Sequence, residues 1–128
     1  MVEGGELYIK HKYLDKEIKG KVNISMSKER AYHPYTLEIT FGTRKDYVCS
    51  SADVFELFKP LNLNGELRSE RLCKTAGGDT LYKNFEKFSE LEELVEQLKD
   101  YKGETSLLKV ICLKENKDWK SKLFMEAV

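Results

Sequence analysis

The residues of this chain able to do nucleophilic or acid–base chemistry are few: His11 and His33, and Cys49, Cys73 and Cys112. A thiol enzyme needs a cysteine with a stabilised thiolate and a base within hydrogen-bond reach. Cys49 stands just ahead of a predicted helix whose N-terminal dipole would favour a thiolate, and His33 or His11 would have to be its base. Cys49, however, closes an apolar strand, and His11 alternates with Leu7 and Ile9 on one strand face. His33 sits in a loop between Tyr32 and Pro34. The histidines therefore read as one packed and one surface residue. No G-x-S-x-G elbow surrounds any serine. The cysteines are odd in number, widely spaced and without a C-x-x-C, and read as reduced, mostly buried thiols of a cytoplasmic protein. No EF-hand spacing, H-E-x-x-H or Cys/His cluster is present, so no metal or cofactor is expected. The stretch 74–80 has the look of a phosphate-cradling loop but neither of the spacings that make one, and Gly77-Gly78 reads as a turn. These absences predict a protein that is not an enzyme.

Binding chemistry is better represented. Lys10, Lys12, Tyr13, Lys19 and Lys21 line the first predicted hairpin, and Arg44, Lys45 and Tyr47 sit at the tip of the second. Lysines beside tyrosines on a sheet can hold single-stranded nucleic acid by phosphate pairing and base stacking. Yet Arg30, Arg44, Arg68 and Arg71 are the only arginines among 22 basic residues, and those 22 are matched by 22 acidic ones. Arginine is the fork-shaped donor favoured for phosphates and base edges, and nucleic-acid binders normally carry excess positive charge. A second surface is acidic: Glu90, Glu92, Glu93 and Glu96 crowd one helix, with Tyr82 and Tyr101 as its expected neighbours. Such a stripe suits a basic protein partner.

The elements that position these groups follow from periodicity. Leu7, Ile9, His11 and Tyr13, then Ile18, Val22, Ile24 and Met26, predict an amphipathic hairpin with strands over about 6–14 and 17–26. Tyr35, Leu37, Ile39 and Phe41 alternate with polar residues as a third strand. Gly42 opens a polar loop to a strand at 47–49. Ser50 or Ser51 as N-cap, Asp53 in the first turn and Pro60 as a stop delimit a short helix. Residues 66–88 fit either a hairpin about the 75–79 turn or, after that turn, a helix through Leu81, Phe85 and Phe88.

Ser89-x-x-Glu92 reads as a capping box opening a helix to Tyr101, with Leu91, Leu94, Val95 and Leu98 as its buried stripe and Gly103 just past its end. The run 107–113, apolar on both faces except at Lys109, predicts a central strand covered on both sides. Trp119, Leu123 and Met125 suggest a short terminal helix docked on the sheet.

At 128 residues, with 41% apolar and 34% charged residues, the chain is expected to be one α+β domain. The predicted architecture is an antiparallel or mixed sheet of about five to six strands with two main helices packed on it. Its core should contain Leu37, Ile39, Phe41, Val54, Phe58, Leu94, Leu98, Val110 and Cys112. No apolar run is long enough to span a membrane, and the acidic N-terminus lacks an apolar leader core. The functional expectation is a non-enzymatic module that binds another protein, as an inhibitor or regulator. Nucleic-acid binding through the lysine-rich hairpin is the alternative, and a Cys49 thiol enzyme the third reading.

Overall fold

Period-two alternation builds the first three strands of the computed structural model, which describes residues 1–41, 51–66 and 80–127. Strands β1 (Val2–His11), β2 (Glu17–Met26) and β3 (Tyr35–Phe41) follow one another as an antiparallel meander. Leu7, Ile9, Ile18, Val22, Ile24, Leu37, Ile39 and Phe41 share one face, each at most 1% exposed. Then come α1 (Ser51–Leu57), a 3-10 turn (Lys59–Leu61), β4 (Asn64–Glu66), β5 (Thr80–Phe85), α2 (Phe88–Asp100), β6 (Leu108–Glu115) and α3 (Trp119–Ala127). The strands form a six-stranded sheet in the order β4-β5-β3-β2-β1-β6. Every neighbouring pair is antiparallel. This is the α+β class expected, with β5 a strand: residues 80–85 pair with β3 and β4, which settles the hairpin-or-helix ambiguity there.

The helices have too few residues to stand alone in water and are held by what they bury. Helix α2 lays Leu91, Leu94, Val95 and Leu98 against β3, β5 and β6. Helix α1 packs Val54 and Leu57 beside β6, and α3 places Trp119 and Leu123 over β1 and β2. All of these belong to one hydrophobic cluster. Two aromatic chains knit it: Phe41, Phe58 and Tyr101 at one end, Tyr35, Phe88 and Trp119 at the other. The Tyr101 hydroxyl donates to the Leu57 carbonyl at 2.6 Å, tying the end of α2 to that of α1. Gly20 lets Phe41 lie flat on β2, since a Cβ there would come within 2.7 Å of the ring.

Several expectations are corrected. The run at 107–113 forms β6, an edge strand and not a central one. Its double apolarity comes from a bulge: Tyr8 faces Cys112 and Ile9 faces Val110, so Ile111 is an extra residue that breaks the alternation. Its outer edge is closed by the chain leaving α2. The Val110 N–H donates to the Gly103 carbonyl, the Thr105 N–H to the Leu108 carbonyl, and Lys102 Nζ to the Ile111 carbonyl. An edge so covered offers little to a foreign strand. Cys112, expected in the core, is half-buried on the opposite face, as register with Tyr8 requires.

Helix α2 starts one residue before the expected cap. Lys87 occupies the N-cap position with no side-chain bond, and the Glu92 carboxylate pairs with Lys120 of α3 at 2.6 Å instead of closing a capping box. The helix ends at an extended Tyr101, and Gly103 is not in the left-handed region. β1 spans 2–11, so Lys12, Tyr13 and Leu14 lie in the turn beyond it. Met125 is 77% exposed and takes no part in the face of α3 that docks. The loop and strand expected at 42–49, the cap at Ser50, the turn at 75–79, Cys49 and Cys73 lie outside the described residues.

The Leu98 side chain is fully buried while the neighbouring Gln97 is exposed. Leu98→Ala should cost about 2–5 kcal/mol of unfolding free energy in urea titrations, because it leaves a cavity under the sheet. Gln97→Ala should stay within about 0.5 kcal/mol of the parent; equal effects would contradict the packing described.

Candidate functional site

The three helices among the described residues lie on one side of the sheet, and alternation decides what the strands display on the other, open over β2, β1 and β6 among the described residues. Reading across paired positions, one row holds Lys109, Lys10 and Glu17, and the next holds Cys112, Tyr8 and Lys19. The third holds Lys114, Glu6, Lys21 and Thr40 and runs on to Thr80, which is buried, and the fourth holds Glu3, Asn23, Glu38 and Tyr82. Directly facing residues on neighbouring strands are close enough to interact, so these rows are contacts as well as a map. Lys19, Lys21, Lys109 and Lys114 are exposed, and Lys10 keeps 45% of its side chain in water.

Tyr8 is the centre of this face. Its hydroxyl donates to Glu6 Oε2 at 2.5 Å, and the Lys114 ammonium stands over its ring, 5.0 Å from the centroid. Lys19 reaches the other Glu6 oxygen at 3.4 Å. The Tyr8 hydrogen bond and then Lys19 hold the Glu6 carboxyl below its ordinary range, and the same hydrogen bond pushes the Tyr8 phenol above its own. The arrangement is a fixed, solvent-facing ring framed by cations. It holds a stacking and ion-pairing surface; no nucleophile with an adjacent base is assembled there.

The expected site residues divide between two surfaces. Lys10, Lys19 and Lys21 do share the open face. Lys12 is drawn off to the turn, where it pairs with Glu104, and Tyr13 is 74% exposed at the hairpin tip. Arg44, Lys45 and Tyr47 lie outside the described residues. Tyr82 is on the open sheet face, the side opposite α2, so it is not a neighbour of the acidic helix. Tyr101 is half-buried and its hydroxyl is spent on Leu57; burial raises its pKa. Of the glutamates, Glu92 is tied to Lys120 and Glu96 to Lys99 at 3.3 Å, while Glu90 and Glu93 are exposed. Glu93 and Glu96 flank an open groove of about 520 Å³ that also involves Leu61 and Tyr101.

His11 is structural. It is 5% exposed, and its Nδ1 accepts the backbone N–H groups of Tyr13 and Leu14, both at 3.1 Å. The ring thereby caps a turn in which Asp15 takes a left-handed conformation. His33 is an exposed loop residue. Among the described residues no group of three or more His, Cys, Asp or Glu is placed to hold a metal ion. The residues that sequence reasoning missed are Tyr8, Lys109, Cys112 and Lys114. Tyr8 could have been found, since it alternates with Leu7 and Ile9; the β6 residues could not, because the bulge scrambles their period.

Two measurements check this geometry. Glu6→Gln removes the largest cause of the raised Tyr8 pKa, so the phenol should titrate at lower pH by NMR of its Cζ carbon; an unchanged titration would refute the bond. The sign for the carboxyl follows from its lowered pKa: whatever Glu6 adds to stability is present above the ordinary glutamate pKa and fades as pH falls through the lowered one. His11→Ala strands two backbone donors and should cost about 1–3 kcal/mol in denaturant unfolding; a neutral substitution would contradict the capping role. No protein-family model, no curated protein and no solved structure matches the chain, so its site is described by its own geometry alone.

Proposed function

We propose that this protein is a non-enzymatic binding module that engages another protein through the open face of its sheet. The observation that supports this most directly is the one-sidedness of the described residues: three helices cover one face of six strands, and the other face presents rows of lysine, glutamate and tyrosine. Long, flat polar surface with aromatic anchors is what protein interfaces recruit, tyrosine above all. Interleaved charges of both signs give register and partner choice more than affinity. Inhibition or regulation of the partner, in the cytoplasm, is the role that fits a module of this kind. The acidic flank of α2 is the lesser surface, since two of its four glutamates are already paired, Tyr82 lies on the opposite side of the sheet and the Tyr101 hydroxyl is bonded to Leu57.

Nucleic-acid binding is a second reading, favoured by the Lys114–Tyr8 stack, which could accept a base. The same face carries Glu6, Glu17 and Glu38, each of which repels phosphate. No helix among the described residues is long and apolar enough to cross a membrane.

Photocrosslinking in the source cells separates these surfaces. Cys112 replaced by p-benzoylphenylalanine, beside Tyr8, should yield covalent adducts with protein, whereas the same amino acid at Gln97 on α2 should not. Adducts from position 97 alone would assign the wrong face. Nuclease-sensitive adducts from position 112 would favour the second reading.

A further inference from the structure

We infer that the occupant of the open face is an acidic polypeptide segment, laid across β2, β1 and β6 over the Tyr8 ring; this rests on the protein-binding reading above and names its partner class. Around Tyr8 the face carries Lys10, Lys19, Lys21, Lys109 and Lys114, against Glu3, Glu6 and Glu17. Glu6 is already committed to the Tyr8 hydroxyl and to Lys19. Lys21 and Lys109 make no ion pair among the described residues, and Lys114, cross-strand from Glu6, stands over the ring. With Lys10 paired to Asp15 and Lys19 to Glu6, the positive charge left for a partner is that of Lys21, Lys109 and Lys114, arranged about an aromatic platform rather than scattered.

The pattern favours polypeptide over nucleic acid for two reasons. A phosphate backbone places a negative charge at every step and would meet Glu6, Glu17 and Glu38 as well as the lysines. An extended peptide rises about 3.3 Å per residue and turns every second side chain to the face, so it can set carboxylates beside lysines and neutral residues beside the glutamates. Among the described residues the one arginine at this face, Arg30, has its guanidinium directed to Ser25 Oγ and the Pro34 carbonyl, so the side chain best shaped for phosphate and base edges is already engaged. Tyr8 and the half-buried Cys112 beside it then take an aromatic or aliphatic side chain of the segment.

The test is a titration of the isotopically labelled full chain with a synthetic peptide of alternating glutamate and tyrosine, followed by amide chemical shifts. The expected result is perturbation centred on Tyr8, Lys19, Lys21, Cys112 and Lys114, weakening as salt is raised. The double variant Lys21→Gln with Lys109→Gln should bind roughly tenfold more weakly, with an unfolding midpoint near the parent's because both side chains are exposed and outside the ion pairs of the face. Shifts that map to α2, no shifts at all, or equal binding of a lysine–tyrosine peptide would overturn the inference. Tighter binding of oligothymidylate to the same lysines would overturn it in favour of nucleic acid. If position 112 crosslinks to a protein while the glutamate–tyrosine peptide leaves the face unperturbed, the acidic partner is wrong and the binding module stands. If neither occurs, both fall.

Discussion

Across the middle of the sheet Leu81, Ile39 and Val22 lie side by side on β5, β3 and β2, each 2% exposed or less. Keeping that row dry is the constraint from which the rest of the molecule follows. Ladder hydrogen bonds join the strands, but they replace bonds to water and add little net stability; removal of the apolar row from water adds far more. Helix α2 covers β3 and β5 with its stripe of leucines and Val95, and α3 covers β2 and β1 with Trp119 and Leu123. Helix α1 adds Val54 and Leu57 beside β6. Each aromatic chain runs from sheet to helix, Phe41 to Phe58 to Tyr101 and Tyr35 to Phe88 to Trp119, so the covering layer is keyed to the strands at both ends.

The wet face is the complement of this arrangement. Most residues turned away from the helices must tolerate water, and the chain meets that demand with lysine, glutamate and asparagine in rows, Thr36 and Thr80 being buried exceptions. Most of that is what any half-covered antiparallel sheet requires. What exceeds the requirement is Tyr8, a large ring with one hydrogen bond to Glu6 and one cation above it. Its order is local and electrostatic, set by neighbours two residues along and one strand across. That is the feature on which the proposal of a recognition surface rests.

The two edges of the sheet are managed differently from what strand chemistry alone suggests. β6 would be an attractive edge, rich in leucine, isoleucine and valine. The segment after α2 folds back along it, and Gly103, Thr105 and Lys102 occupy its backbone groups. Tertiary geometry thus leaves lateral strand addition unfavourable at this edge and face-on contact open. The same segment carries Glu104, which takes Lys12 out of the open face.

Much of this was legible in the chain itself. Alternation from Leu7 to Phe41 determined the meander and which side of it is buried, because a strand has only two faces and the apolar residues must choose one. The 3.6-residue stripe of Leu91, Leu94, Val95 and Leu98 determined α2, and Pro60 the end of α1. Tertiary structure alone decided that β6 is an edge and that Cys112 and Lys114 look outward, since a bulge is a property of two paired strands and leaves no mark in one. It also separated Tyr82 from the acidic helix and retired Tyr101 to a structural bond. Proximity between residues far apart in sequence depends on strand order, and periodicity within a segment carries no information about that order.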